Sequence, residues 1–195
     1  IAKKIGAERP ILYGFIGNAI ANFDNPEHVL SNIVGVMETD DLLLMEAQIL
    51  DETLLLTEIL ERTMERVRRE YLSDSFRRFA ESALRQNTDL TISPTENNSY
   101  VVHVSQPDWV HGPVLQIDCF FENNSERPVY MTLVNGQSVR LDLKERIRLY
   151  RSRKFTQRTL QNFVKACGFS ILGQSEYLSD KRTGFMVMML KRLSR

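Results

Sequence analysis

The chain has 195 residues, of which 25 are basic, 25 are acidic and 43% are hydrophobic. This composition is typical of a single compact domain or of a modest protein with two subdomains, and it excludes disordered and collagen-like chains. The longest apolar runs, around Leu42–Met45 and Phe185–Leu190, are only strand-sized, so we expect no membrane span. The balanced charge argues against a surface tuned as a whole to nucleic acid or anionic lipid, and it leaves room for a local basic patch.

The first third of the chain alternates predicted strands and helices. The run ILYGFIGNAIANF predicts a strand over residues 11–16, followed by a loop, and Asp24 or Asn25 then caps a helix that begins at Pro26. LLLMEAQIL predicts a second strand. From Asp51 to about Asn87 the apolar period becomes helical, with a break near Ser73. The order strand, helix, strand, helix predicts a parallel α/β sheet with right-handed crossovers.

Beyond Asp89 the apolar period becomes two. The segments SYVVHVSQ, PVLQIDCFFE, RPVYMTLV and QSVRLDL predict an antiparallel β insertion. A last helix, TQRTLQNFVKAC, begins at Thr156, and Gly168 suits the left-handed residue after it. FSILGQSEYL and TGFMVMMLKR then predict a closing antiparallel strand pair.

Cys119 and Cys167 stand in apolar surroundings, which predicts buried, reduced thiols, a reducing compartment and a cytoplasmic location. The opening IAKKIGAERP has neither an initiator methionine nor a hydrophobic signal core, so we expect the chain to begin inside a longer gene product.

No metal site is predicted, because the three histidines, His28, His103 and His111, lie on three different predicted elements without a metal-binding motif. No nucleophile-elbow motif is present either.

Gly14 and Gly17 flank the end of the first predicted strand, but they lack the third glycine and the spacing of a dinucleotide cradle. Two readings stay open: a tight strand-to-loop turn, or a loop at the carboxyl end of a parallel strand, where open α/β sheets bind ligands. On the second reading, Asn18 and Asn22 could present amide groups to a polar ligand.

The basic run from Arg140 to Lys154 holds seven lysines and arginines against two acidic residues, with Tyr150 and Phe155 among or beside them. It could form a nucleic-acid groove. Near-alternating leucines and isoleucine favour the other reading, in which most of these cations line the solvent face of strands, and we expect no nucleic-acid partner.

Two segments resemble a known family. FIGNAIANFDNPEHVL followed by DDLLLMEAQI resembles the central region of the histidine-specific SAM-dependent N-methyltransferases, the family of the first ergothioneine-pathway enzyme. ERIRLYRSRKFTQRTLQNFVKACGF is similar to that family's downstream segment, in which a strand that carries substrate contacts leads into a helix.

The resemblance implies the C-terminal part of a class I methyltransferase, with a Rossmann-like α/β sheet and a β-rich substrate insertion. It places the partial α/β core at residues 1–72 and 156–195, and a helix with the β-rich insertion at 73–155. The implied cofactor is S-adenosylmethionine. Its main glycine-rich loop would precede Ile1, so among the residues present only Phe15 and Gly17 are implied to touch it, and we expect this chain alone to be inactive.

The resemblance also implies substrate-binding residues. Asn22 and Ser152 match the family's substrate-contacting asparagine and serine. Tyr150 replaces the glutamate that grips the imidazole of histidine, Arg151 replaces an adjacent asparagine, and Ile59 falls near a substrate-contacting tyrosine. These replacements imply a substrate other than histidine, namely another small amine or amino-acid-like molecule.

Two functions follow as hypotheses. The first is a SAM-dependent N-methyltransferase-like protein that is present here without its cofactor-binding half. The alternative is a non-catalytic ligand- or protein-binding module derived from that fold. A homo-oligomer, or a missing N-terminal segment, is the expected macromolecular partner, and no catalytic residue is assigned.

Overall fold

A computed structural model describes residues 10–89 and 99–193. In chain order its strands and helices are β1 (Leu12–Phe15), α1 (Pro26–Val36), β2 (Leu42–Leu50), α2 (Thr57–Tyr71), α3 (Asp74–Asn87), β3 (Tyr100–Ser105), β4 (Val114–Glu122), β5 (Val129–Thr132), β6 (Ser138–Leu141), β7 (Arg146–Phe155), α4 (Gln157–Ala166), β8 (Phe169–Leu178) and β9 (Thr183–Arg192). Short 3-10 turns cover Ala19–Asn22 and Glu52–Leu55. The chain is therefore a mixed α/β protein.

The described residues group into two compact units. Unit 1 takes residues 10–60, 106–116 and 152–193, and unit 2 takes 61–89, 99–105 and 117–151. Strands β4 and β7 each contribute residues to both units. The expected division into a core at 1–72 with 156–195 and an insertion at 73–155 stays a prediction.

The local signals that predicted the first elements are confirmed. β2 coincides with the run LLLMEAQIL. The Asn25 side chain caps α1 by accepting a hydrogen bond from the backbone N–H of His28 at 2.9 Å, and Pro26 is the first helical residue. The helical region divides around Ser73, and its first turn is a separate 3-10 segment that Asp51 caps through the N–H of Thr53. Local capping residues therefore set where α1 and the 3-10 turn before α2 begin.

The sheet of unit 1 is built on β2. Strand β1 runs parallel to it, with Leu12 opposite Leu42. Farther along the same edge, Phe155 at the end of β7 pairs in parallel with Ile49. On the other edge β9 is antiparallel to β2, and β8 is antiparallel to β9. The parallel start and the antiparallel closing pair both match the sequence expectation.

Within the described residues, β1 pairs with β2 alone. Leu12 in β1 and Ile16 just beyond it are each 58% exposed. An edge strand with exposed apolar side chains is a template for further strand pairing. In the part of the chain that the structure describes, β1 is therefore an edge strand.

The core of unit 1 lies on one face of the sheet. Alternate residues of β2, from Leu43 to Ile49, are buried there, while their neighbours are half-buried on the other face. Leu30 of α1 and Leu160 and Phe163 of α4 pack into the same apolar cluster and have no exposed surface. Each such buried side chain contributes about 1.5 to 3 kcal/mol of hydrophobic stabilisation, which fixes both helices on this face.

Trp109, the one tryptophan of the chain, packs against this core. Its ring centroid lies 5.1 Å from that of Phe163 and 5.6 Å from that of Phe155. The indole N–H donates to Oε1 of Glu27 at 2.8 Å. Trp109 is half-buried against the core and its polar N–H is satisfied, an arrangement that suits the amphipathic tryptophan side chain.

Unit 2 contains the neighbouring strands β3, β4 and β7 and the antiparallel pair β5 and β6. A small core of Leu84, Phe121, Met131 and Leu141 lies within it. Tyr130 of β5 is 62% exposed. The expected antiparallel pairing is seen for β5 and β6, whereas β7 leaves this unit and joins β2 in parallel.

Both cysteines are free thiols, Cys119 fully buried and Cys167 half-buried. Burial raises the pKa of each thiol to about 11. A thiol with so high a pKa is almost entirely protonated at neutral pH and is a poor nucleophile. The predicted burial is confirmed for Cys119, whereas Cys167 is only half-buried. Of the helices in residues 10–89 and 99–193, none has the length and apolar character needed to cross a membrane.

The packing of β9 against β8 generates a stability prediction. A Cβ atom on Gly184 would overlap the carbonyl oxygen of Tyr177, whereas a Cβ on Gly173 of β8 would meet nothing within 4 Å. We expect Gly184→Ala to lower the free energy of unfolding by about 3 kcal/mol or more, because backbone must move to relieve the overlap. Gly173→Ala is the matched control and should change it by less than about 0.5 kcal/mol. Urea unfolding midpoints measure both, and equal midpoints would contradict the packing described.

Candidate functional site

The candidate site is the loop that follows β1 at the carboxyl end of that strand. Gly17 and Asn18 adopt consecutive left-handed conformations, with φ values of 76° and 62°. Glycine adopts this region without strain, and asparagine tolerates it better than most residues. The chain then makes the 3-10 turn Ala19–Asn22 and enters α1. Open α/β sheets bind ligands at such carboxyl ends.

Asn18 ties this loop to two other strands. Its Nδ2 donates to the Oγ of Ser152 on β7 at 3.1 Å, and its Oδ1 accepts from the backbone N–H of Gln48 on β2 at 2.8 Å. Asn18 is 4% exposed and Ser152 has no exposed surface. The amide nitrogen and the amide oxygen of Asn18 are therefore both bonded within the protein, and they link the loop to β7 and to β2. We call these two bonds the bracket.

Arg153 of β7 holds the far side of the loop. Its Nη1 donates to the carbonyl oxygen of Phe23 at 2.6 Å and to that of Ala21 at 3.4 Å. Its Nη2 reaches the carbonyl oxygen of Asp24 at 3.4 Å, and its Nε donates to Oε1 of Gln116 at 3.2 Å. A guanidinium has five N–H donors in a rigid fork, so one side chain can fix several consecutive carbonyl groups.

Strand β2 adds polar side chains at the same end of the sheet. The ammonium of Lys154, a residue that is 7% exposed, donates to Oε1 of Gln48 at 2.8 Å. Oε2 of Glu46 lies 3.4 Å from the backbone nitrogen of Gly17. Glu46 is half-buried, so the loop has a carboxylate beside its exposed glycine.

The predicted residues of unit 1 occupy this loop in different ways. Asn22 ends the 3-10 turn and is exposed, and Gly17 is exposed with open space where a Cβ would stand. Phe15 is half-buried, and its ring centroid lies 6.0 Å from that of Phe23. Ser152 is buried and bonded to Asn18. The structure therefore brings Gly17 and Ser152 to one loop through Asn18, while their ligand-binding roles stay predictions.

Tyr150 and Arg151 belong to unit 2. Tyr150 is half-buried among the rings of Tyr71, Phe76 and Phe79. The Nε of Arg151 donates to Oδ1 of Asp118 at 2.7 Å, with a second contact of 3.2 Å between Nη2 and Oδ2. Their predicted role in substrate binding stays a prediction, as does that of Ile59, which is half-buried on α2.

The basic run from Arg140 to Lys154 does not lie wholly on the solvent face. Arg140 is exposed and pairs with Asp142, as the sequence predicted, but Arg153 and Lys154 are each only 7% exposed. The prediction that most of these cations line the solvent face agrees with the structure, since Arg140, Lys144, Arg146 and Arg148 are exposed. Arg153 and Lys154 are the exceptions because the end of β7 enters the core, where alternation no longer decides exposure. Phe155 and the start of α4, which follow directly, are the sequence features that indicate burial at this end of the strand.

The sequence did not indicate that Gln48 and Glu46, the two polar residues of an otherwise apolar strand, lie at the candidate site. Their alternate positions among LLLMEAQIL place them on one face of β2. In residues 10–89 and 99–193, no three histidine, cysteine, aspartate or glutamate side chains come together as a metal site.

Comparison with known proteins gives a likeness in structure and none in sequence. No family model matches the chain, and no curated protein sequence matches it either. Among solved structures, the chain is similar to the crystal structure of an S-adenosylmethionine-dependent methyltransferase from Clostridium acetobutylicum ATCC 824, with 10% sequence identity and a TM-score of 0.38. The alignment covers 97% of this chain and 61% of that one, so the chain spans less than two thirds of that structure's length.

The bracket formed by Asn18 generates a second prediction. We expect Asn18→Ala to lower the free energy of unfolding by about 2 kcal/mol, because the N–H of Gln48 loses its acceptor in a buried place. Asn18→Gly loses the same hydrogen bonds but not the backbone conformation, because glycine adopts the left-handed region that costs alanine about 1 kcal/mol. The difference between the two variants therefore measures backbone strain. Asn32→Ala, at an exposed position of α1, is the control and should stay within about 0.5 kcal/mol of the parent chain. Thermal or urea unfolding that ranks Asn32→Ala with Asn18→Ala would contradict the bracket.

Proposed function

We propose that this chain is the C-terminal part of a SAM-dependent N-methyltransferase-like protein that acts on a small amine or amino-acid-like substrate. The proposal combines the two sequence segments that resemble the histidine-specific N-methyltransferases with the geometry of the loop after β1.

One observation carries the proposal. The two resembling segments lie about 130 positions apart in the sequence, and in unit 1 they bond directly to each other. Asn18 of the first segment donates to Ser152 of the second at 3.1 Å, and Arg153 of the second donates to the carbonyl oxygen of Phe23 of the first at 2.6 Å. Residues that share one ligand site must meet in this way, and a chance resemblance of two separate segments would not require it.

The exposed amide of Asn22 is the group we assign to the substrate. It ends the 3-10 turn that Arg153 fixes through the carbonyls of Ala21 and Phe23. A loop held by a buried side chain presents its exposed residues at a defined position, which is what catalysis by orientation requires. Ser152 acts through Asn18, so we assign it a positioning role.

The residues present fit one side of a cofactor site. A Cβ on Gly17 would meet nothing within 4 Å, and the backbone N–H of Gly17 donates to the carboxylate of Glu46 at 3.4 Å. Phe15 and Phe23, at the two ends of this loop, have ring centroids 6.0 Å apart. An aromatic pair with a carboxylate suits a positively charged group. S-adenosylmethionine would supply an electrophilic methyl group on such a cation. The chain's own contribution is to hold the acceptor amine and to keep the loop in place.

In residues 10–89 and 99–193, β1 pairs with β2 alone, and this supports the same proposal. A doubly wound sheet continues beyond a strand in this position, and Leu12 and Ile16 offer apolar side chains to a further layer. A cofactor-binding half that pairs with β1 would cover them.

The test is a calorimetric titration with S-adenosylhomocysteine, the expected product of the cofactor. We expect the protein encoded by the complete reading frame to bind it, and this 195-residue chain to bind far more weakly or not at all. Glu46→Gln in the longer protein should weaken binding of the cationic S-adenosylmethionine by about tenfold, because a neutral amide attracts that cation less than a carboxylate does.

Asp40→Asn, on an exposed turn residue that pairs with Lys191, is the matched control for the removal of a carboxylate. Binding of S-adenosylhomocysteine by neither form of the protein would contradict the methyltransferase proposal and favour the binding-module alternative. Equal effects of the two substitutions would contradict the assignment of Glu46.

A further inference from the structure

Strand β8 forms an edge of the sheet of unit 1. In residues 10–89 and 99–193 it pairs with β9 alone, and each of its residues from Leu172 to Leu178 is exposed. In an antiparallel ladder, alternate residues direct their backbone N–H and C=O groups away from the paired strand. The outer edge of β8 is therefore a template for a further strand.

The second half of β8 has few of the features that usually block edge pairing. A bulge between Ile171 and Gly173 interrupts the first half, and the ladder with β9 is regular from Gly173 to Leu178. That regular stretch, GQSEYL, contains no proline and no lysine, and Glu176 is its only charged residue. Bulges, prolines and lysines are the usual means by which proteins protect an edge. The regular stretch is therefore open to pairing.

The register with β9 assigns the exposed side chains of β8 to two faces. Gln174 lies opposite the buried Met188, and its Oε1 accepts from Nε2 of Gln161 on α4 at 2.9 Å. Side chains alternate between the faces of a strand. The α4 face therefore carries Gln174, Glu176 and Leu178, and the opposite face carries Gly173, Ser175 and Tyr177.

The face opposite α4 combines a projecting ring with open space. Tyr177 is 70% exposed, and its neighbour across the ladder, Phe185, is 40% exposed. Four residues before Tyr177, a Cβ on Gly173 would meet nothing within 4 Å. The ring and the open space thus lie on the same face, two residues to either side of Ser175.

The α4 face has a groove at one end of β8 and a matching segment at the other. The groove, of about 560 Å³, lies between α4 and the first half of β8. Its apolar lining includes Ile171 and Leu193, and Lys165 is the charged residue in its wall. The second half of β8 presents an exposed apolar side chain, Leu178, and a carboxylate, Glu176, on this face. The two halves of one strand are therefore complementary in both shape and charge.

The other charges near this edge are mixed in sign. The turn after β8 carries Asp180, Lys181 and Arg182. Arg182 pairs with Asp51 at 2.9 Å, and on β9 the ammonium of Lys191 lies 3.6 Å from Asp40. Glu176 is therefore the charge whose position limits how another strand can pair with β8.

We infer that β8 pairs in antiparallel fashion with β8 of a second copy of this chain, about a twofold axis at Ser175. An interface of this symmetry requires a surface that is complementary to itself. The axis places the partner's Tyr177 over Gly173, where the ring fills open space and buries apolar area. The pairing occupies the free edge of both copies, so the assembly closes as a dimer. This inference does not rest on the methyltransferase proposal.

The same axis fits the α4 face. It brings the partner's Leu178 beside Ile171 at the groove, and it brings the partner's Glu176 opposite Gln174 and toward Lys165. An axis at Glu176 would instead set that carboxylate opposite its own copy, and like charges directly opposite each other are destabilising. An axis at Gln174 would run the pairing into the bulge after two residues. The axis at Ser175 avoids both.

The experiment is sedimentation velocity on the whole 195-residue chain over a series of concentrations. We expect a monomer–dimer equilibrium with a dissociation constant on the order of micromolar, because an edge pairing buries a small area. Ser175→Lys should raise that constant by about tenfold, because it sets two ammonium groups side by side on the axis. Leu12→Lys, on the edge strand β1, is the matched control and should not change it.

The position of the axis is tested by disulfide formation. Ser175→Cys would set two thiols directly opposite each other, at a Cα separation that a disulfide allows. Gly173→Cys is the matched control, because its two copies would lie four residues apart along the strands, about 14 Å. We expect mild oxidation to convert Ser175→Cys to a covalent dimer many times faster than Gly173→Cys or the parent chain. The parent's own thiols, Cys119 and Cys167, are buried and half-buried.

Several outcomes would overturn the inference: a monomer at every concentration, equal dimer dissociation constants for the parent chain and Ser175→Lys, or equal rates of disulfide formation for the two cysteine variants. A dimer that Leu12→Lys dissociates and Ser175→Lys leaves intact would place the interface at β1, and it would overturn the assignment to β8.

Discussion

The buried guanidinium of Arg153 is the interaction on which the candidate site depends. A buried cation is costly unless its donors are satisfied, and here the guanidinium donates to three backbone carbonyls and one amide oxygen. The arginine and the loop therefore need each other, because each satisfies polar groups that the other would leave unpaired. Lysine at this position could not reproduce the fork of donors. The position of Asn22 is thus set by a strand far away in the sequence.

A second consequence concerns the order in which the site can form. Asn18 needs Ser152 of β7 and the N–H of Gln48 of β2, and β7 pairs with β2 at Phe155. All of these contacts join residues that are distant along the chain, so the geometry of the loop depends on long-range contacts. The loop after β1 therefore takes its observed geometry only when β2 and β7 are paired.

Sequence predicted the elements better than the site. The apolar run of β2, the cap at Asn25 and the break near Ser73 are local signals, and the structure agrees with each. The sequence around Asn18 and Asn22 does not show which of the two side chains is buried. An irregular loop has no repeating apolar pattern, and Gly17 and Asn18 adopt left-handed conformations that belong to no helix or strand. The burial of Arg153 depends equally on what packs around the end of β7, which alternation along one strand cannot reveal. The contacts among the rings of Tyr71, Phe76, Phe79 and Tyr150 bring three elements together, and the sequence alone singled out Tyr150.

The packing of Trp109 against the core gives unit 1 its own spectroscopic reporter. The chain has a single tryptophan, and it packs against Phe155 and Phe163 with its indole N–H on Glu27. Its fluorescence emission therefore follows the wetting of one core only, while far-ultraviolet circular dichroism follows the helices and strands of both units. A mismatch between the two denaturation curves would mean that the units melt separately, and superposition would mean that they melt as one.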